Sequence, residues 1–301
     1  MSFEKQNFLC NLCSQCSMYE DMKNNIDFII KNKKSELNND EKKFLIISYK
    51  NLINKYRESI IILNEKLIKE KNNLYKKYIN EYKNKLIFEF FKFINNLIAN
   101  LNELVQNTKE KENKILYYKL LGDYYRYLNE IYDDSSLLNK NNSDKKENFN
   151  QETKENKENK ENNNDNINNE NKIENKENIM DNINNNINSN KQNNFQEKYI
   201  KLCLENYEKA INLCDDISYK NALKLELLLN ISVFYYDILK DKELAITISK
   251  ETLDNVKIAF KDIEEENEEY KNSINIINIL SENIELWTKE TNFELIDDYL
   301  Y

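Results

Sequence analysis

The chain has 301 residues, one glycine, no proline and no histidine, and its formal net charge is -9. Tight turns and hairpins depend on glycine and proline, so this composition excludes a turn-rich β fold and leaves long helices. The negative balance argues against a general binder of nucleic acid or of an anionic membrane, and the missing histidine removes the commonest general base. Apolar spacing predicts a first helix over 3–16, with Phe8, Leu9, Leu12, Cys13 and Cys16 at helical intervals. Cys10, Cys13 and Cys16 recur every three residues; without a second cysteine pair or a histidine they read as small apolar core residues on one helix side rather than metal ligands. The five thiols fit a reducing compartment, and no run of apolar residues is long enough to span a membrane, so a cytoplasmic protein, with the nucleus also open to it, is expected.

A second helix is predicted over 19–32. A third opens where capping residues cluster between Ser35 and Asn39, and two more cover about 74–106 and 111–132. From Lys140 to Phe195 the chain turns asparagine-rich, with tandem "KEN" units at 154–162. So few apolar groups cannot offset the entropy of ordering, and this segment is expected to be disordered. The "KEN" units read as repeat slippage rather than a degradation tag. Four further helices are predicted near 196–215, 219–239, 242–260 and 265–290. The expected architecture is all-α: nine helices, antiparallel to their neighbours, in one domain. Residues 1–139 and 196–301 build that domain, and 140–195 interrupts it.

Several helices carry polar stripes among apolar neighbours. Lys50 and Arg57 lie seven apart, as do Asn230 and Asp237. Lys119, Asp123 and Arg126 stand at i, i+4 and i+7 in "KLLGDYYRY", with Tyr127 adjacent, and Asn283 and Trp287 stand four apart in "ENIELW". Each stripe alone reads as the solvated face of an amphipathic helix. Together they would line one amphipathic groove with three cations, a tyrosine hydroxyl and two amides. Such a set binds a dianion and grips a peptide backbone, with Asp123 holding Arg126 through an i, i+3 ion pair. Periodicity does not decide between the two.

At these residues the chain resembles the 14-3-3 family. "YKNLINKYRESI" is similar to that family's third-helix segment, "YYKLLGDYYRYLNEI" to its fifth, "NISVFYYDIL" to its seventh and "YKNSINIINILSENIELWT" to its C-terminal signature, and "SMYEDM" matches near the start. The motifs keep family order over nearly the whole chain outside the asparagine-rich insert. The resemblance implies an all-α protomer that pairs into a dimer and binds phosphoserine or phosphothreonine segments of client proteins, without cofactor, metal or catalysis. By it, Lys50, Arg57, Arg126 and Tyr127 would hold the phosphate. Asn230 and Asn283 would bond the peptide backbone, with Lys119, Asp123, Asp237 and Trp287 as groove support. Leu229, Val233, Ile276, Ile279 and Leu286 would form the apolar wall. Leu12, Cys13, Cys16, Asp21, Tyr82, Lys85 and Glu89 would form the dimer face.

Departures from the family pattern are also visible. Tyr56, Ile61 and Leu121 stand where further basic residues are usual, and Asn275 replaces an apolar wall residue. Glu226 occupies a position usually taken by a small residue. Met18 replaces an arginine that pairs with the residue matching Glu89, so a weakened homodimer or a heterodimer is implied, while Asp21 with Lys85 could still bridge subunits. Ser59 falls where phosphorylation disrupts family dimers. The alternative to a phosphopeptide adaptor is an all-α interaction scaffold that has lost phosphate selectivity. An enzyme is disfavoured, because no phosphate loop or nucleophile elbow is present.

Overall fold

The computed structural model describes residues 3–33, 35–147, 192–261 and 268–298, and among them nine helices and no strand are found. They are α1 (Glu4–Gln15), α2 (Tyr19–Asn32), α3 (Asn39–Lys69), α4 (Asn73–Asn107), α5 (Lys111–Glu147), α6 (Gln192–Asn212), α7 (Ala222–Asp237), α8 (Lys242–Ala259) and α9 (Glu268–Asp298). None is long and apolar enough to cross a membrane. Two units divide the chain: Asn129–Tyr199, and Met1–Leu128 together with Ile200–Tyr301.

Asparagine or aspartate caps the starts of α3, α4, α7 and α8 in a chain without proline. Asn38 forms a capping box with Glu41: the Glu41 N–H donates to Asn38 Oδ1 at 2.9 Å and the Asn38 N–H donates to Glu41 Oε2 at 2.8 Å. Asn72 accepts from Leu74, Asn221 accepts from Leu223 and Lys224, and Asp241 accepts from Leu244. The α5 start is capped from a distance. Glu36 accepts the backbone N–H groups of Lys109 and Glu110, and these bonds hold its carboxyl down to about 2.

Helix ends show the cost of having no glycine to spare. Ser17 and Lys240 take left-handed φ values of 56° and 58°, a conformation that is strained by about 1 kcal/mol for residues with a Cβ. Each is followed by a returning backbone bond, Met18 N–H to Cys13 O at 2.8 Å and Asp241 N–H to Tyr235 O at 3.0 Å. After α6, the buried Lys224 ammonium donates to the carbonyls of Cys214 and Ile217 at 3.2 and 2.8 Å, so it does the work of a backbone cap.

In the larger unit α1 to α4 pack in succession around Met22, Ile26, Leu45, Tyr49, Ile53, Phe90 and Leu97. Helices α7, α8 and α9 pack on one another around Leu225, Val256, Phe260 and Leu280. The start of α5 joins α6 and α7 through Ile115, Cys203, Tyr207, Ala210, Leu227 and Phe234.

Three expectations need correction. Helix α5 continues to Glu147 and α6 starts at Gln192, so the segment expected to be disordered from 140 to 195 has helical ends; its remainder, 148–191, lies outside the described residues. Those ends are polar and give no apolar period, yet a helix already nucleated extends at little further cost. The cysteines of α1 do not share one buried side. Cys10 is buried, Cys13 is half-buried and Cys16 is exposed, because each step of three residues falls short of a full helical turn. Ile276, expected in an open groove wall, is packed into the core with Leu225 and Leu280.

Candidate functional site

Two helices far apart in sequence meet at one aromatic ring. The Arg57 guanidinium of α3 lies 4.8 Å from the centre of the Tyr127 ring, and the Arg126 guanidinium of α5 lies 4.7 Å from it. Arginine presents a flat cation that stacks on an aromatic face. Arg126 is buried, whereas Arg57 and Tyr127 are half-buried. Lys50 stands two turns before Arg57 on α3 and is exposed. Arg57, Arg126 and Tyr127 are thus brought together by direct contact, and Lys50 is aligned with them by helical register alone.

Beside this cluster a buried carboxylate organises three helices. Asp123 of α5 accepts the Tyr207 hydroxyl of α6 on Oδ1 at 2.7 Å and the Asn230 amide of α7 on the same oxygen at 2.7 Å. Its Oδ2 accepts Lys119 Nζ at 3.2 Å. Lys119 also meets Glu226 Oε2 of α7 at 3.3 Å. Burial alone would lower the Lys119 ammonium, but the carboxylates of Asp123 and Glu226 outweigh it and hold the group above its ordinary value. Burial and then the Asp123 charge push the Tyr207 phenol well up, so it remains a proton donor to that carboxylate. Asn230, with an N–H committed to Asp123, is held in one orientation.

Tyr207 also accounts for the chain's single glycine. A Cβ built on Gly122 would sit 2.4 Å from Tyr207 Cε1 and 2.5 Å from Cδ1. The ring has no room to yield: Tyr207 is buried, its hydroxyl is tied to Asp123, and Phe234 packs at its edge with centroids 5.9 Å apart. Neither Tyr207 nor its role was apparent from periodicity. A lone glycine inside a helix was the available signal, since its use is to let another group approach closely.

The other expected residues are distributed as follows. On α7, Leu229 and Val233 are half-buried and Asp237 is exposed. On α9, Asn283 is half-buried, while Ile279 and Leu286 remain exposed large apolar side chains. Trp287 is buried and stacks on Tyr236 with centroids 4.4 Å apart and planes 12° apart, so it fastens α9 to α7. The Tyr236 hydroxyl donates to Glu290 on the same helix as Trp287. Among the departures, Tyr56 packs its ring on Phe90 and Phe93, Leu121 is buried in the core, and Ile61 is exposed. Ser59 donates its hydroxyl to the Lys55 carbonyl at 2.8 Å.

A second set of expected residues lies on α1, α2 and α4. Leu12, Cys16, Met18, Asp21, Tyr82, Lys85 and Glu89 are exposed there, and Cys13 is half-buried. Lys85 and Glu89 face each other along α4 at 3.9 Å. Leu12, Met18 and Tyr82 are 41, 53 and 58% exposed, which leaves large apolar groups uncovered on that face.

A family model described as "14-3-3 protein" matches residues 9–167 and 187–288. Among curated relatives, "14-3-3 protein homolog 2" of Echinococcus granulosus is 27% identical over 284 residues, covering 94% of this chain and 90% of that protein. "14-3-3 protein I" of Plasmodium falciparum (isolate 3D7) is 26% identical over 288 residues, covering 93 and 87%. "14-3-3 protein 7" of Solanum lycopersicum is 27% identical over 292 residues, covering 95 and 91%.

Proposed function

Because the chain belongs to the 14-3-3 family, a family of client-binding adaptors, we propose that it binds phosphoserine or phosphothreonine segments of its clients at the Arg57–Arg126–Tyr127 cluster. The observation that carries this reading is the meeting of two guanidinium groups from different helices on one tyrosine ring. A phosphate brings about -1.5 to -2 charge and three strong acceptor oxygens, which suits two arginine forks and a phenol donor. Lys50 adds a third cation from solvent. Asn230, oriented by Asp123, and Asn283 hold the extended backbone, and the exposed Ile279 and Leu286 with Leu229 and Val233 take apolar side chains of the client. Selectivity arises because an unphosphorylated segment brings neither the charge nor the acceptor oxygens that the cluster takes.

The protein acts as a dimer in this reading, through Leu12, Cys13, Cys16, Asp21, Tyr82, Lys85 and Glu89. The uncovered apolar groups on that face support pairing. Met18 offers Glu89 no charge partner, and a surface ion pair is worth only about 0–1 kcal/mol, so its loss weakens the dimer without abolishing it.

The test is fluorescence anisotropy with a labelled peptide in phosphorylated and unphosphorylated form, against the wild type and Arg126→Ala. The phosphorylated form is expected to bind more tightly by at least about a hundredfold, and Arg126→Ala is expected to lose about tenfold or more of that affinity. Equal affinity for the two forms would sink the proposal, and so would unchanged binding by the variant.

A further inference from the structure

Away from the phosphate cluster, α2 and α4 border an open groove of about 540 Å³, within the size range of ligand-binding clefts. Its floor is a polar network around Asp27. Asp27 Oδ1 accepts the Tyr49 hydroxyl of α3 at 2.7 Å and the Asn100 amide of α4 at 3.3 Å, and Oδ2 accepts Lys23 Nζ at 3.0 Å. A carboxylate has about four acceptor sites, so these donors leave Asp27 little to offer a ligand. The network fixes Lys23 instead. Its ammonium also lies 5.8 Å from the centres of the Tyr49 and Phe93 rings, and its side chain is 19% exposed. An ammonium carries three N–H donors and Asp27 takes one, so Lys23 keeps donors for an anion in the groove it lines.

The rest of the lining has chemistry of the same kind. Lys31 stands eight residues after Lys23 on α2 and is exposed. Asn24 of α2 faces Asn96 and Asn100 of α4 across the groove. A side-chain amide offers both a donor and an acceptor, the same pair that a peptide unit presents. Phe28, 44% exposed, adds an apolar surface. Two lysines and one committed carboxylate therefore make this a locally basic groove on a chain whose net charge is -9.

We infer that this groove is a second binding site, for an acidic segment of a partner protein held extended between α2 and α4. Spacing sets the pattern. Eight residues of helix place Lys23 and Lys31 about 12 Å apart along α2, and an extended chain advances about 3.3 Å per residue. The segment thus carries two carboxylates three or four residues apart, one for each lysine. The asparagine amides bond the backbone between them, and Phe28 covers an apolar side chain there. Lys23 is the stronger anchor, because a cation already held in place loses less entropy on binding. A nucleic acid or an anionic membrane fits poorly, since its extended negative field meets two lysines here and net negative charge elsewhere. The groove shares no residue with the Arg57–Arg126–Tyr127 cluster, so the inference stands apart from the phosphopeptide reading.

The experiment is fluorescence anisotropy of the full chain at low ionic strength with a labelled eight-residue peptide. The peptide has two glutamates four apart in an alanine and serine background, and a control has lysine in place of both. The proteins are the wild type, Asn96→Ala and two matched charge reversals of exposed lysines, Lys31→Glu in the groove and Lys50→Glu beside the phosphate cluster. Both reversals change the net charge equally, so a difference between them reports position rather than the field of the whole protein. Thermal melts check that all four proteins are equally folded. The wild type is expected to bind the acidic peptide at least about tenfold more tightly than the lysine control, with a Kd below about 1 mM. Lys31→Glu is expected to weaken that binding about tenfold and Asn96→Ala about threefold, while Lys50→Glu stays within about twofold of the wild type. Equal weakening by the two reversals would overturn the inference, because the peptide then responds to net charge alone. Greater weakening by Lys50→Glu would place the peptide at the phosphate cluster and overturn it too. So would equal binding of the two peptides, or no saturable binding of the acidic one.

Discussion

The two helices that meet at Tyr127 bring their charges there in different ways. On α5, Lys119, Asp123 and Arg126 are all buried, and Asp123 alone gathers side chains from α6 and α7. On α3, Lys50 is exposed and Arg57 half-buried, and the latter stacks on a ring of α5. The α5 side is built into the core and is part of what holds three helices in register. The α3 side is a solvated helix face brought to the same place by packing. A buried charge must be fully partnered to persist, whereas an exposed one costs almost nothing to keep or to remove. Changes on α5 should therefore alter stability and binding together, and a change at the exposed Lys50 of α3 should alter binding alone.

The largest effect is expected from Gly122→Ala. An added Cβ meets the Tyr207 ring at 2.4 Å, and the ring is held by Asp123 and Phe234. Overpacking against a held ring at this distance costs about 3 kcal/mol, the top of the usual range, and the gain in helix propensity of about 1 kcal/mol offsets only part of it. A net loss of about 2 kcal/mol in urea denaturation is expected, together with weaker phosphopeptide binding as Asp123 and Arg126 are displaced. A variant as stable as the wild type would show that the junction of α5 and α6 is looser than its geometry implies. The next largest effect belongs to Tyr207→Phe, which keeps the ring and removes one donor from a buried carboxylate. Loss of about 1–2 kcal/mol is expected, with a smaller fall in affinity, because Lys119 and Asn230 still hold Asp123.

The same contrast explains what could be read before the fold was known. Helices were legible because their apolar residues repeat, and the start of α3 was legible because capping residues cluster between Ser35 and Asn39, among them the Asn38 that caps it. The ends of α5 and α9 were not: α5 continues past 132 through mostly polar residues that carry no sustained period, and α9 runs on to Asp298, past the predicted end at 290. Within one helix the stripe of Lys119, Asp123 and Arg126 was plain. That Arg57 reaches Tyr127, or that Tyr207 and Asn230 reach Asp123, depends on how separate helices pack, and periodicity describes each helix only by itself. The resemblance of motifs supplied the pairing of α3 with α5, but not Tyr207. Gly122 was a sign that something large comes close, without saying what.

The smallest effect on stability is expected from Lys50→Ala, and it is the sharpest test of the comparison. The side chain is exposed on α3, and alanine is the better helix former, so the melting curve should shift by less than about 0.5 kcal/mol in either direction. Phosphopeptide affinity should nevertheless fall, by roughly tenfold, if the ammonium bends inward to meet the phosphate as a charge-assisted donor. The fall should shrink as salt is raised, because an exposed cation is screened over about 10 Å at 0.1 M ionic strength, while the loss caused by Arg126→Ala from its buried position should persist. Measuring both variants at low and high salt separates the two sides of the site. Equal salt dependence for Lys50→Ala and Arg126→Ala would mean that the α3 and α5 cations share one environment, and the distinction between a built-in and a solvated half would then fail.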